Sequence, residues 1–167
     1  ENPFAALGKN KDLRDYQHRA NLDIEAAILR GKRRMLVAMA TGTGKTFMAV
    51  NEIYRLMKTG MAGRVLFLVD RRALAAQAVQ SFASFEPEPN LKFDQIYEVY
   101  SQQFQKDDFD EEKKFDVKVL PRDYLTNPRP KHAFVYVCTI QRMTINLFGR
   151  AGMMPSVDDE GDAEESE

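Results

Sequence analysis

The residue types best suited to chemistry form one hexapeptide, Thr41-Gly42-Thr43-Gly44-Lys45-Thr46. An apolar stretch at residues 35–40, typical of a β-strand, precedes it, and a spacing of apolar residues through Ile53, typical of a helix, follows it. A strand, a glycine-bearing turn and Gly-Lys-Thr at the start of a helix form the arrangement of a phosphate-binding loop. We therefore predict that residues 41–46, hereafter the P-loop, bind the phosphates of a nucleotide.

Each group of the P-loop has a chemical task in this interpretation. The backbone amides of residues 42–46 converge on the phosphates, and the positive end of the following helix lies behind them. The Lys45 ammonium reaches the β and γ phosphates, and the Thr46 hydroxyl binds the accompanying Mg²⁺ ion. Met39 stands where the motif usually has its first glycine. A glycine-rich turn without a ligand is the alternative, and the order of strand, loop and helix favours nucleotide binding.

The composition sets the class of protein. A chain of 167 residues, 44% hydrophobic and 29% charged, is long enough for one globular domain with a full core. Its apolar runs are too short to span a membrane, and its first residues resemble no secretory signal. The single cysteine, Cys138, lies in an apolar run, so we predict a buried, inert thiol. One cysteine excludes an internal disulfide framework and suits the reducing cytoplasm, which is the predicted location.

The net charge of −1 hides an asymmetry along the chain. Seven of the last ten residues are acidic; without them, 18 acidic residues face 24 Lys and Arg, a net charge of +6. A moderately basic body is compatible with a polyanionic partner. We predict that residues 151–167 are an acidic linker or loop, that residues 1–12 are a poorly ordered lead-in, and that residues 101–132 are a polar surface excursion.

Residues 13–150 are predicted to form the domain itself. Helical periodicity covers residues 14–29 and 72–82, and apolar strands are expected at residues 64–69, with both faces covered, and at 133–138. A further strand is expected at residues 96–100 from its alternating pattern. Strands separated by helices predict an α/β fold with a doubly wound, mostly parallel sheet. Ligands of such folds bind at the carboxyl ends of the strands.

Polar residues outside the P-loop are candidates for further contacts. Gln17 lies at the start of the helix before the P-loop and offers both a donor and an acceptor, which an adenine edge can use. Arg71 and Arg72 follow the second predicted strand, at the amino end of a helix. Thr139 and Gln141 follow the last buried strand. All four can hold the phosphates of a nucleic-acid backbone.

In their order along the chain, these segments resemble motifs of superfamily 2 helicases and translocases. The resemblance is to the glutamine motif, motif I, motif Ia and the Thr-x-Gln motif of the first RecA-like motor domain. In that superfamily Ala or Met commonly replaces the first P-loop glycine. The chain looks most like the restriction (R) subunit of type I restriction-modification enzymes, over most of residues 13–143. The segments that carry this resemblance are Arg14-Asp15-Tyr16-Gln17, Met39-Ala40-Thr41-Gly42-Thr43-Gly44-Lys45-Thr46, Val69-Asp70-Arg71-Arg72 and Thr139-Ile140-Gln141-Arg142-Met143.

The resemblance implies a RecA-like P-loop NTPase domain, truncated before motif II, with ATP and Mg²⁺ as cofactors. The parent enzyme would couple ATP hydrolysis to translocation along double-stranded DNA and cleave DNA with a separate nuclease domain, in a complex with modification and specificity subunits. Lys45 and Thr46 would be the catalytic residues. Nucleotide contacts would come from Arg14, Gln17, Thr41, Gly42, Thr43, Gly44, Lys45 and Thr46, and DNA contacts from Arg71, Arg72, Thr139 and Gln141.

The Mg²⁺-binding Asp-Glu pair of motif II should end an apolar strand after the Thr-x-Gln segment. Residues 158–160 are acidic, but no apolar run precedes them. We therefore expect the isolated chain to bind ATP weakly or moderately, to hydrolyse it negligibly and to cut no DNA. The alternatives are a superfamily 2 DNA or RNA helicase of another family and a non-catalytic nucleotide-binding module. Stimulation of the ATPase by RNA would favour an RNA helicase, whose motif Ia usually reads Pro-Thr-Arg-Glu-Leu.

Overall fold

A computed structural model describes residues 2–104, 117–127 and 129–149. These residues form ten elements: α1 (Asp15–Leu29), α2 (Lys45–Lys58), β1 (Arg64–Val69), α3 (Arg72–Ser84), α4 (Phe93–Ile96), β2 (Glu98–Ser101), β3 (Lys118–Val119), α5 (Asp123–Thr126), β4 (Phe134–Thr139) and α6 (Ile140–Phe148). The predicted helices before and after the P-loop and the predicted strands at 64–69 and 133–138 are confirmed to within two residues.

The four described strands form one parallel sheet in the order β1-β4-β2-β3. Val69 at the end of β1 lies opposite Thr139 at the end of β4, and Ser101 lies opposite Val137. Parallel pairing therefore brings the carboxyl ends of these strands to one edge of the sheet. The order of the strands requires crossovers, as the prediction of an α/β fold with a doubly wound parallel sheet demands.

Strand β4 is the centre of the core because its two faces pack against different clusters. Val135 and Val137 contact the cluster built with α2, α3 and α4, whereas Phe134, Tyr136 and Cys138 contact Tyr100 and the side chains of α5 and α6. All six residues of β4 are buried. A continuous apolar run of this length is typical of a central strand with both faces covered.

The strand predicted at residues 35–40 is not formed. This segment lies outside the described sheet, and Leu36 is 93% exposed. An apolar sequence favours an extended chain, but a strand also requires a neighbour that pairs with its backbone groups. The described residues place no such neighbour beside this segment, so the P-loop is positioned by α1 and α2.

The prediction that both faces of the strand at 64–69 are covered is also wrong. β1 pairs with β4 alone within the described sheet, so it is an edge strand there, and Leu66 and Leu68 are exposed on one face. Its other face, with Phe67, packs on the core. The strand predicted at 96–100 begins later, because α4 continues to Ile96 before β2 starts at Glu98.

The lead-in is attached to the domain, contrary to its predicted poor order. Phe4 is buried, and the carbonyls of Leu7 and Gly8 accept hydrogen bonds from Arg55 of α2. The polar excursion contributes β3 to the sheet, and Tyr124 of α5 packs on Phe134. Residues 105–116 and 128 of the excursion and the acidic run at 151–167 lie outside the described residues. None of the described helices has the length and apolar character needed to cross a membrane.

Candidate nucleotide-binding site

Two glycines shape the P-loop backbone. Gly42 has φ = +76° and Gly44 has φ = +75°, values in the left-handed region that side chains disfavour. Gly44 is also the N-cap residue of α2, so the loop enters the helix directly at Lys45. The amides of the first turn of a helix have no partner inside the helix and attract anions. The loop thus combines two positive-φ glycines with a helix start, two features that phosphate-binding loops share.

The Lys45 ammonium lies over the loop that it closes. Its Nζ atom donates to the Ala40 carbonyl at 3.1 Å and to the Met39 carbonyl at 3.4 Å. The Thr43 hydroxyl donates to the same Ala40 carbonyl at 2.6 Å. The Lys45 side chain is exposed and its partners among the described residues are neutral carbonyls, so an incoming phosphate would offer it a stronger, charge-assisted hydrogen bond. Thr46 is half-buried one residue into α2.

Helix α1 also binds the P-loop, through the side chain of Gln17. Its amide nitrogen donates to the Thr43 carbonyl at 2.9 Å and to the Gly44 carbonyl at 3.2 Å. Its amide oxygen accepts from the Arg14 backbone at 2.9 Å. Gln17 is 3% exposed, and a Cβ atom on Gly44 would lie 2.5 Å from its nitrogen. Both amide protons are therefore used by the loop, which leaves one oxygen lone pair for a base.

Tyr16 contributes a P-loop contact that the sequence analysis missed. Its hydroxyl donates to the Thr43 carbonyl at 2.9 Å, and Arg14 Nη1 donates to that hydroxyl at 3.0 Å. The sequence analysis included Tyr16 only as part of the segment Arg14-Asp15-Tyr16-Gln17 and gave it no role; its side chain is exposed. Arg14 is therefore linked to the P-loop through two side chains, Tyr16 and Gln17.

Polar side chains continue from Gln17 along the interface between α1 and α2. Asn21 Nδ2 donates to Asn51 Oδ1 at 2.9 Å, and Arg55 Nε donates to Glu25 Oε1 at 2.5 Å. All four side chains are buried. A signal in the sequence could have revealed this interface: α1 has a polar residue at every fourth position, at Gln17, Asn21 and Glu25.

Glu52 lies beside these pairs without a hydrogen-bond partner among the described residues. Both carboxyl oxygens are buried, and the residue is 5% exposed. Burial, reinforced by the negative charge of Glu25 and opposed by Arg55, raises the pKa of Glu52 to about 8. The carboxyl is therefore mostly neutral at pH 7.

The candidate DNA-binding residues meet at the carboxyl edge of the sheet. Arg71 is the N-cap residue of α3, and its side chain is 76% exposed with a distant 3.9 Å approach to Asp70. Thr139 is the N-cap residue of α6 and accepts from the Arg142 backbone at 3.2 Å. Because β1 and β4 end in register, both positions lie at neighbouring strand ends. Arg72 and Gln141 are half-buried in the first turns of α3 and α6.

Gln102 supports this edge and was not predicted. Its side-chain oxygen accepts from the Thr139 backbone at 2.8 Å, and both residues are buried. The contact ties the end of β2 to the end of β4. It fixes the point at which the chain turns from β4 into α6.

A cleft of about 710 Å³ opens between α1 and the unpaired segment 35–40. Ala20, Ile24 and Ala27 of α1 line one side, and the cleft reaches the P-loop at Thr43. Four basic side chains also line it: Arg19, Arg30, Lys32 and Arg34. The cleft lies beside the nucleotide site, on the face of α1 away from the buried polar interface.

The prediction of an inert thiol at Cys138 is supported by its burial. Cys138 is fully buried in β4, and burial raises its pKa to about 11. Thiols react as thiolates, so we expect Cys138 in the folded chain to react with Ellman's reagent at least about 100-fold more slowly than in chain unfolded by guanidinium. Equal rates in the two states would contradict the buried position.

Comparison with known proteins identifies the family. Residues 10–166 match the family described as "Type III restriction enzyme, res subunit". The chain belongs to this family. The match covers the P-loop, both candidate DNA-binding segments and the acidic run, and it confirms the predicted resemblance to restriction-enzyme motor domains.

Two curated relatives from Escherichia coli are type I restriction enzymes. The chain is 49% identical over 70 residues to the EcoKI endonuclease subunit of strain K12, covering 42% of this chain and 6% of that protein. It is 44% identical over 81 residues to the EcoAI endonuclease subunit, covering 48% of this chain and 10% of that protein. The aligned segments therefore cover a tenth or less of the length of these relatives.

One solved structure shares the fold. It is a nuclease-deletion mutant of the type ISP restriction-modification enzyme LlaGI in complex with a DNA substrate mimic. The two chains superpose with a TM-score of 0.53 at 21% identity, over 87% of this chain and 14% of that one. This likeness confirms that the present chain has a RecA-like α/β fold.

Proposed function

We propose that this chain is the ATP-binding part of the motor domain of a type I restriction endonuclease R subunit. In the parent enzyme, ATP hydrolysis would drive translocation along double-stranded DNA and lead to its cleavage. The observation that carries the proposal is the P-loop, in which Gly42 and Gly44 adopt positive φ and Lys45 opens α2. The family match and the type I relatives support the same function.

The triphosphate of ATP would lie on the P-loop. Its oxygens would accept hydrogen bonds from the amides of residues 42–46, and Lys45 would exchange its carbonyl partners for the β and γ phosphates. Thr41 and Thr43 would lie beside the bound triphosphate. The Thr46 hydroxyl would bind Mg²⁺, which neutralises charge as the γ phosphoryl group transfers. Lys45 and Thr46 are the catalytic residues of this proposal.

Gln17, backed by Arg14, would select adenine over guanine. The free lone pair of the Gln17 amide oxygen can accept from the adenine amino group. Guanine presents an acceptor oxygen at the same ring position, which cannot donate. The amide already holds Thr43 and Gly44, so a single hydrogen bond to the base is the contact that this arrangement supports.

DNA would bind at the carboxyl edge of the sheet. Arg71 is exposed there, and α3 and α6 both begin at this edge, where the first amides of a helix have no partner inside the helix itself. Such groups hold phosphates and fix the position of a duplex without reading its sequence. Arg72, Thr139 and Gln141 complete the proposed contact set, with the Thr139 hydroxyl free to donate while it accepts from Arg142.

The parent enzyme would act in the cytoplasm with modification and specificity subunits. We further propose that the 167 residues alone bind ATP but hydrolyse it negligibly. Among the described residues, Lys45 is hydrogen-bonded to carbonyls and not to a carboxylate. Phosphoryl transfer requires a positioned metal and water in addition to a phosphate cradle. ATP turnover by the purified chain well above the uncatalysed rate would contradict this part of the proposal.

Replacing Gly44 with alanine tests the P-loop as the nucleotide site. We expect ATP affinity to fall more than about 10-fold and stability to fall by about 1–2 kcal/mol, because alanine disfavours φ = +75° and its Cβ would collide with Gln17. Isothermal titration calorimetry and thermal unfolding measure the two effects.

Two other glycines provide matched controls. Gly42→Ala introduces the same backbone strain with open space around the new Cβ, so it should weaken binding less. Gly63→Ala introduces neither strain nor contact and should leave binding unchanged. Unaltered ATP affinity in Gly44→Ala would count against the proposed site.

A further inference from the structure

Helices α1 and α2 are joined by polar contacts along their whole shared length. Three contacts follow one another, and we call them the polar ladder: Gln17 with Thr43 and Gly44, Asn21 with Asn51, and Glu25 with Arg55. The order is the same on both helices, so the helices lie parallel. The ladder residues outside the P-loop are all buried: Gln17, Asn21, Glu25, Asn51 and Arg55.

At the end of the ladder farthest from the P-loop, Arg55 also contacts the amino-terminal lead-in. Arg55 Nη1 donates to the Gly8 carbonyl at 2.9 Å and to the Leu7 carbonyl at 3.3 Å, while its Nε donates to Glu25. One guanidinium thus binds α1 and the amino-terminal segment to the helix that begins at the P-loop. Lysine has three donors on one nitrogen but lacks the planar fork with which one guanidinium reaches all three groups.

Buried polar pairs specify register more strictly than apolar contacts do. Apolar side chains tolerate a slide of one helix along another, whereas a slide of α1 would leave Asn21, Glu25 and Arg55 buried without partners. A single buried asparagine pair is known to set the register of helix pairs in this way. The ladder therefore fixes where α1 lies along α2.

We propose that Asn51 and Arg55 are positioning residues for the nucleotide site, because they hold α1 in the register that keeps Gln17 on the P-loop. Neither residue touches the site, and each acts through its partner on α1. The inference rests on the proposed function, since the base contact of Gln17 is part of that proposal. It adds that the choice between ATP and GTP depends on residues two and three turns away from the P-loop.

The double variant Asn21→Leu/Asn51→Leu tests this inference. Leucine has the branching of asparagine, and replacing both partners leaves no buried polar group without its pair. We expect the chain to remain folded, as shown by thermal unfolding, and the ratio of ATP affinity to GTP affinity to fall at least about fivefold. Calorimetric titrations of the 167-residue chain with ATP and with GTP, each with Mg²⁺, give that ratio.

Two single variants complete the design. Arg55→Lys keeps the positive charge beside Glu25, so it should give a ratio of ATP affinity to GTP affinity between those of the wild type and the leucine variant. If the leucine variant does not fold, Arg55→Lys provides the test. Glu52→Gln changes a neighbouring buried side chain that belongs to no pair of the ladder, and it should keep the wild-type ratio.

The possible outcomes separate the inference from the function on which it rests. An unchanged ratio in the folded variants, or an equal loss of ATP and GTP affinity, overturns the positioning role and leaves the nucleotide site standing. Failure of the wild-type chain to bind either nucleotide overturns the proposed function and the inference together. A lower ratio in the ladder variants with a wild-type ratio in Glu52→Gln supports the inference.

Discussion

Glu52→Gln is expected to stabilise the chain by about 4 kcal/mol at pH 8. The pKa of Glu52 rises from 4.5 to about 8 on folding, chiefly because burial penalises the charged carboxylate. Glu25 on α1 adds to this effect and Arg55 on α2 opposes it. The unfolded chain loses its proton near pH 4.5 while the folded chain keeps it, so stability falls as the pH rises from about 4.5 to about 8. Glutamine resembles the neutral carboxyl and carries no such penalty.

Urea unfolding at several pH values between 5 and 8 measures this effect. The difference between Glu52→Gln and wild type should be small at pH 5 and should grow steadily toward pH 8. Asp23→Asn is the matched control, because Asp23 is an exposed carboxyl on α1, and its effect should stay within about 0.5 kcal/mol at every pH. A difference for Glu52→Gln that does not change with pH would show that the carboxyl is not held neutral.

Local periodicity was sufficient to predict α1, α2 and α3 and the strands β1 and β4. It did not predict α4, α5 or α6, nor that one face of β1 is exposed. The apolar spacing of α1 and α2 and the continuous apolar runs of β1 and β4 depend on neighbours in sequence, and the structure reproduces them. The failure at residues 35–40 has a different origin. Strand formation depends on a pairing partner that is distant in sequence, and a single segment carries no information on whether that partner is present.

The candidate site was predicted in its types of residue but not in its contacts. The sequence identified Gln17, Lys45 and the two glycines of the P-loop from a known spacing. It could not show that the Gln17 amide is used on the P-loop itself, nor that Tyr16 shares the Thr43 carbonyl. These contacts depend on the angle at which α1 crosses the P-loop. The polar ladder sets that arrangement, and it became evident only when both helices were placed together.

Lys45→Ala is expected to have the largest effect on function. Lys45 carries the cationic side chain of the P-loop, and its ammonium lies directly over the loop. Charge-assisted hydrogen bonds to phosphate contribute about 1.5–3 kcal/mol each, so we expect a loss of about 100-fold in ATP affinity. The side chain is exposed and, within the described part of the chain, bonds to neutral carbonyls, so its removal should leave the unfolding temperature nearly unchanged.

The most direct test of the account is the affinity for ATP with Mg²⁺, measured by calorimetry in wild type, in Lys45→Ala and in Lys92→Ala. Lys92 is an exposed lysine at the start of α4 and serves as the matched control for loss of one positive charge. The account predicts that Lys92→Ala binds like wild type and that Lys45→Ala binds about 100-fold more weakly with its fold intact. Equal affinity in all three proteins would contradict the assignment of residues 41–46 as the nucleotide site.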